Sequence, residues 1–403
     1  LHHLDALRAF AMLLGIVLHT ALGFVPGLWF IEDPTASWRG PFDEVFFFVH
    51  GFRMPLFFLL SGFFSAMLLQ RRGLWGLVKH RLRRVGLPLL VAVVTILPAV
   101  GVGILVGQAW ANDAAPAGTA EVQAVEAAPP GLDGFRILDS DRDIRDNRSF
   151  RFAHLWFLWY LLWMLAGLAV AAGAVSVVQR VIQIPPLAGT ISLWALPLLT
   201  LLPSLLMGDP VRGFGPDTPE GFWPLPRLLA YYGSFFAFGI LLFGRTDRRG
   251  RPLHDAIGRP WRILLPGALV LFPFALWLTF SASGAWWPAV AAAQVAFTWL
   301  MVFGLVGLGQ HILSGERFWV RFVSDAAYWI YLAHLPLVFL AQGLVAGWPL
   351  PAGVKFTVIC LGVAGVLLVT YRWGVRYTVV GRLLNGPRTR DADRAMRERL
   401  HTA

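Results

Sequence analysis

Cysteine is almost absent: Cys360 is the only one in 403 residues. One thiol closes no intrachain disulfide and builds no cysteine-based zinc or iron–sulfur site. Charge is scarce as well. Asp, Glu, Lys and Arg together make 14% of the chain, against about 25% in a soluble domain. So little polar surface excludes a soluble enzyme, a disordered chain and a nucleic-acid-binding domain with an exposed basic face. The signatures of soluble catalysis are missing too, with no Walker A loop, GxSxG, HExxH or GxGxxG. Nor does any internal repeat stand out, which counts against a transporter built from inverted halves.

Apolar residues fill the space: 57% of the chain is hydrophobic and 14% aromatic, with a mean hydropathy of +0.63. About 20 apolar residues span a bilayer as a helix. Ten runs reach that length, near 9–27, 42–70, 85–108, 154–176, 188–207, 227–244, 263–281, 287–312, 326–345 and 353–373. The pattern predicts an all-α polytopic membrane protein of about ten helices, whose partner throughout is the lipid bilayer. The first run has no small-residue cleavage site and is read as a retained helix. One transmembrane domain covers 1–373, interrupted by a long hydrophilic loop at 109–153. A basic tail follows at 374–403.

Lys and Arg exceed Asp and Glu by 11, and their placement orients the chain. Basic residues crowd into 71–84, 245–262 and 372–399, whereas 109–153 carries eight acids against five arginines. Cytoplasmic termini put 24 of the 34 Lys and Arg on the cytoplasmic side, as the positive-inside rule requires. The opposite orientation would export most of them.

Ionisable groups inside spanning helices are costly, so each is a candidate for function. Arg8 and His19 are eleven positions apart on the first helix. They therefore point about 20° apart, with His19 about 16 Å deeper. His50 and Arg53 share a face of the second helix, and Arg53 reaches a depth similar to that of His19. An arginine there needs an anion, backbone carbonyls or a structural ion partner. Asp43 and Glu44 lie nearer the outer surface. Tyr328, Tyr331 and His334 recur every three residues on the ninth helix, and His154 opens the fourth at its outer end.

At the cytoplasmic start of the third helix stand Arg81, Arg83 and Arg84. Basic residues oppose the dipole of a helix N-terminus, so two readings remain open. A phosphate or phospholipid headgroup binds there, or the cluster serves topology alone. A buried histidine beside buried arginines does suit acyl chemistry. Histidine takes a proton from a hydroxyl, while arginine stabilises an oxyanion or holds a carboxylate. A transporter or flippase could use the same buried charges without covalent chemistry.

These residues resemble the acyltransferase 3 family of membrane acyltransferases. Its hallmark is an arginine and a histidine separated by ten residues in the first helix, met here by Arg8 and His19. His50-Gly-Phe-Arg53 and the Met-Pro run after it, Arg83-Arg-Val-Gly-Leu-Pro88, His154-Leu-Trp-Phe-Leu158 and Tyr328-Trp-Ile-Tyr-Leu-Ala-His-Leu-Pro336 extend the likeness over nearly the whole chain. Within the family it is most similar to members that succinylate periplasmic glucans. The resemblance implies a cytoplasmic acyl-CoA donor, succinyl-CoA in that branch, and a glucan or other envelope glycan as acceptor. It implies no bound cofactor, no metal and no nucleic acid. On this reading His19 is the general base, with Arg8, Arg53 and His50 as further catalytic groups. Arg81 and Arg84 bind donor phosphates, and Tyr331, His334 and His154 line the acceptor side.

Overall fold

The computed structural model describes residues 2–38, 40–114, 151–181, 195–207, 213–247, 249–281, 284–313, 315, 318–386 and 388–389. The main helices among the described residues are α1 (His2–Leu22), α2 (Pro41–Arg81), α3 (Leu87–Ala114), α4 (Trp156–Val181), α5 (Pro226–Leu242), α6 (Trp261–Ser281), α7 (Trp287–Ile312), α8 (Phe318–Ala346), α9 (Ala352–Thr370) and α10 (Val379–Asn385). Among the described residues there are no strands, only isolated antiparallel bridges joining Arg151 to Gly221 and Thr246 to Pro252.

Seven helical segments among the described residues are long and apolar enough to cross a membrane, which makes this a multi-pass membrane protein. One of them, Pro41–Ala114, holds both the second and third expected runs in 74 residues. The run expected at 227–244 appears as the shorter Pro226–Leu242. Of the run at 188–207, the described part is two short helices, Ala195–Leu199 and Leu201–Leu206. Most of the loop at 109–153, and the tail from 390 onward, lie outside the described residues.

Sequence punctuation explains where α2 starts and bends. Pro41 occupies its first turn, where a missing N–H costs nothing. Gly73 then adopts φ 67° and ψ 179° inside the helix, a left-handed backbone setting that favours glycine. The chain turns there into a short elbow carrying the basic residues. A π-helical turn, Leu82–Gly86, leads on into α3.

α1, α7 and α8 are mostly buried, whereas α6 and α9 turn most of their surface outward. The inner crossings rely on small residues, which let helix backbones approach closely in lipid. Where α2 crosses α5, a Cβ on Gly62 would fall 1.9 Å from the Phe236 carbonyl oxygen, and one on Gly239 would fall 1.9 Å from that of Leu59. α8 packs along α1 on one side and α3 on the other. This places the end of α1 against the middle of α8. A buried ion pair, Lys355 Nζ to Asp33 Oδ2 at 2.9 Å, ties the loop after α1 to α9.

Candidate active site

His19 sits in the last turn of α1, and α8 brings His334 directly to it. His19 Nδ1 and His334 Nε2 are 2.9 Å apart. Their ring planes are inclined by 27°, with centroids 5.0 Å apart. On its other nitrogen, His334 Nδ1 donates to the carbonyl oxygens of Tyr331 at 2.8 Å and Ile330 at 3.1 Å.

Arg53 comes from α2 to the same point, and Gly15 makes room for it. One turn before His19, the place a Gly15 Cβ would occupy is 2.8 Å from Arg53 Nη1 and 3.4 Å from His334 Nε2. Among the described residues no carboxylate pairs with Arg53. Its Nε is buried without a hydrogen-bond partner. A guanidinium is hard to strip of water and leave unpaired, so the site is short of an anion.

His154 and Tyr331 close the side opposite α1. Tyr331 donates its hydroxyl to the His154 carbonyl oxygen at 2.8 Å, and His154 Nε2 donates to the Leu332 carbonyl oxygen at 3.1 Å. The His154 ring stands at 82° to that of His334, 5.2 Å away. Its Nδ1 is buried with no partner. His50, one turn before Arg53, points instead to the 213–217 loop, donating from Nε2 to the Pro216 carbonyl oxygen at 2.8 Å.

Arg8 does not join this cluster. It pairs with Asp5 at 3.3 Å and remains partly exposed, with its guanidinium 5.7 Å above the Phe64 ring. The spacing from His19 therefore does what helix geometry requires, placing one group at each end of the same face. Arg81 is near Arg8, donating to the buried Ser65 hydroxyl at 2.9 Å. Its Nε has no partner. Arg84 is engaged differently: its Nη1 donates to the carbonyl oxygens of Leu383 at 3.1 Å and Arg382 at 3.2 Å, capping α10. The chain after 373 thus begins as a segment folded onto the bundle, held also by Arg388 on Asp325.

Two participants escaped the sequence reading. Trp29 folds back from the loop after α1 and lies at 17° to the His19 ring, with centroids 5.6 Å apart. Gln342 on α8 accepts the Trp29 indole N–H at 3.0 Å and donates to the His19 carbonyl oxygen at 3.1 Å. The usable signal for Gln342 was an amide inside an otherwise apolar run. An indole in a loop gave none.

A family model described as an acyltransferase domain matches residues 1–372. Glucans biosynthesis protein C from Salmonella paratyphi B, Salmonella agona and Salmonella dublin is in each case 25% identical to this chain over 395 residues. The alignment covers 96% of this chain and 94% of each relative. No solved structure matches.

Proposed function

The chain belongs to the acyltransferase 3 family, and from that premise we propose that it moves a succinyl group from cytoplasmic succinyl-CoA to hydroxyls of a periplasmic glucan. The observation that carries this is the His19–His334 pair beside Arg53, which has no acid partner among the described residues. In this reading His19 takes the proton from the acceptor hydroxyl as its oxygen attacks the thioester carbonyl carbon. The carbon–sulfur bond then breaks, and the proton passes to the departing sulfur. The products are a glycan ester and free CoA thiol.

Arg53 gives the donor its identity. A succinyl group brings a carboxylate, which pairs with both arms of a guanidinium and relieves the unpaired charge. Arg8 and Arg81 lie near one another at the ends of α1 and α2 away from His19, and in this reading they bind the donor phosphates. Names of the relatives support a glucan acceptor. Six single long segments, two passes within Pro41–Ala114 and the two shorter apolar helices would make ten membrane passes, and the basic residues favour both ends on the cytoplasmic side.

The test is turnover by purified protein in lipid vesicles, with succinyl-CoA or acetyl-CoA as donor and a glucan as acceptor. Release of CoA thiol together with glucan ester supports the proposal. Passage of intact donor across the bilayer without ester would instead identify a transporter. Arg53→Lys keeps the charge but loses the planar fork, so it should impair succinyl transfer far more than acetyl transfer. Equal loss with both donors would assign Arg53 to the thioester oxygen.

A further inference from the structure

A neutral imidazole carries one N–H, and the partner of one nitrogen decides the state of the other. His334 Nδ1 faces only carbonyl oxygens, those of Tyr331 and Ile330. These accept and cannot donate, so His334 holds its proton on Nδ1 and presents a lone pair at Nε2. His19 Nδ1, 2.9 Å from that lone pair, must then be the donor. The one free lone pair of a neutral His19 is on Nε2.

Other contacts hold the ring in this setting. Trp29 covers one face of His19 and is backed in turn by Phe339, at 17° and 5.0 Å between centroids. Gln342 links the indole to the main chain of His19 itself. That carbonyl lies among the last four of α1, which have no partner within the helix. Ring and backbone of His19 are therefore fixed by the same amide.

We infer that His334 is a positioning residue that locks His19 in the Nδ1–H tautomer, with Trp29 and Gln342 clamping the ring so that Nε2 is the basic nitrogen. The catalytic consequence rests on the acyl-transfer reading, whereas the tautomer does not. A base in the wrong tautomer has no lone pair to offer, and a general base typically contributes about 10²–10⁴ in rate.

The experiment is ¹⁵N NMR of histidine-labelled protein without substrate, the His19 signals being assigned by difference from His19→Ala. Two variants separate an acceptor from mere bulk. His334→Gln keeps an oxygen acceptor near the position of Nε2, and His334→Leu fills the space without one. The expected result is Nδ1–H at His19 in the wild type and in His334→Gln, and a smaller Nδ1–H population in His334→Leu, where the Gly15 carbonyl is the acceptor left near the ring. Acyl transfer should then be at least about 10-fold higher in the Gln variant than in the Leu variant. An Nε2–H tautomer in the wild type would overturn the inference, as would a Leu variant matching the Gln variant. Should the Leu variant not fold, the wild-type and Gln tautomers still decide. A protein inactive with every donor would refute the function while leaving the tautomer measurement intact.

Discussion

In the proposed reaction His19 acts as the base through the one ring nitrogen that its neighbours leave free. Replacing His19 with alanine should leave folding intact, since among the described residues His334 is the one side chain that hydrogen-bonds its ring. The same change should lower acyl transfer by roughly 10²-fold or more. A folded His19→Ala protein with full activity would remove His19 from the chemistry. The pair Arg8 and His19 was legible from spacing because helix geometry is local. His334 and Arg53 were visible as ionisable groups at comparable depth. That His334 bonds His19 directly was not legible, because it depends on how α8 crosses α1. Trp29 was hidden for a similar reason: a loop tryptophan has no period, so nothing in its neighbours says where the chain folds back.

At the level of elements, the basic segment after α2 divides in a way its composition conceals. Arg81 turns inward to Ser65, while Arg84 caps α10. Arg81→Gln should therefore raise the apparent donor constant by about 10-fold or more, as loss of a charge-assisted contact of about 1.5–3 kcal/mol would. Arg84→Gln should instead free the C-terminal segment, which limited proteolysis detects. The motif set both arginines at the donor; that Arg84 also holds the end of α10 was not legible there, because α10 reaches it only through the fold. Beyond the helices, the 151–152 strand-like contact with 220–221 forms a clasp in which Phe152 N–H donates to the Glu220 carbonyl oxygen at 2.8 Å. Burial pushes the Glu220 carboxyl up to about 7, against the opposing pull of Arg151. A raised carboxyl favours the folded clasp when protonated, so its stability falls as pH climbs from the ordinary carboxylate range through about 7, then levels. Protease protection of this loop between about pH 5 and 8 should show that decline, and Glu220→Gln should flatten it.

Across the whole molecule, apolar run lengths made the helical, membrane-embedded class readable, because a bilayer imposes length on any helix that crosses it. Crossing partners were not readable from run length. They follow from pairs such as Gly62 and Gly239, whose lack of side chains lets α2 and α5 touch backbone to backbone. Gly62→Ala should push α5 away from α2 and lower the stability of the purified protein by about 1–3 kcal/mol, the usual range for overpacking. Thermal unfolding in detergent measures it. Arrangement and chemistry meet in the proposal that a donor on one side of the membrane acylates a glycan on the other. Mass spectrometry of envelope glycans from cells with wild-type protein, with His19→Ala and with no protein tests that most directly. Acyl transfer predicts glycans bearing the mass of succinyl esters only with the wild type. Identical glycan masses in all three, with the wild-type protein folded and in the membrane, would contradict it.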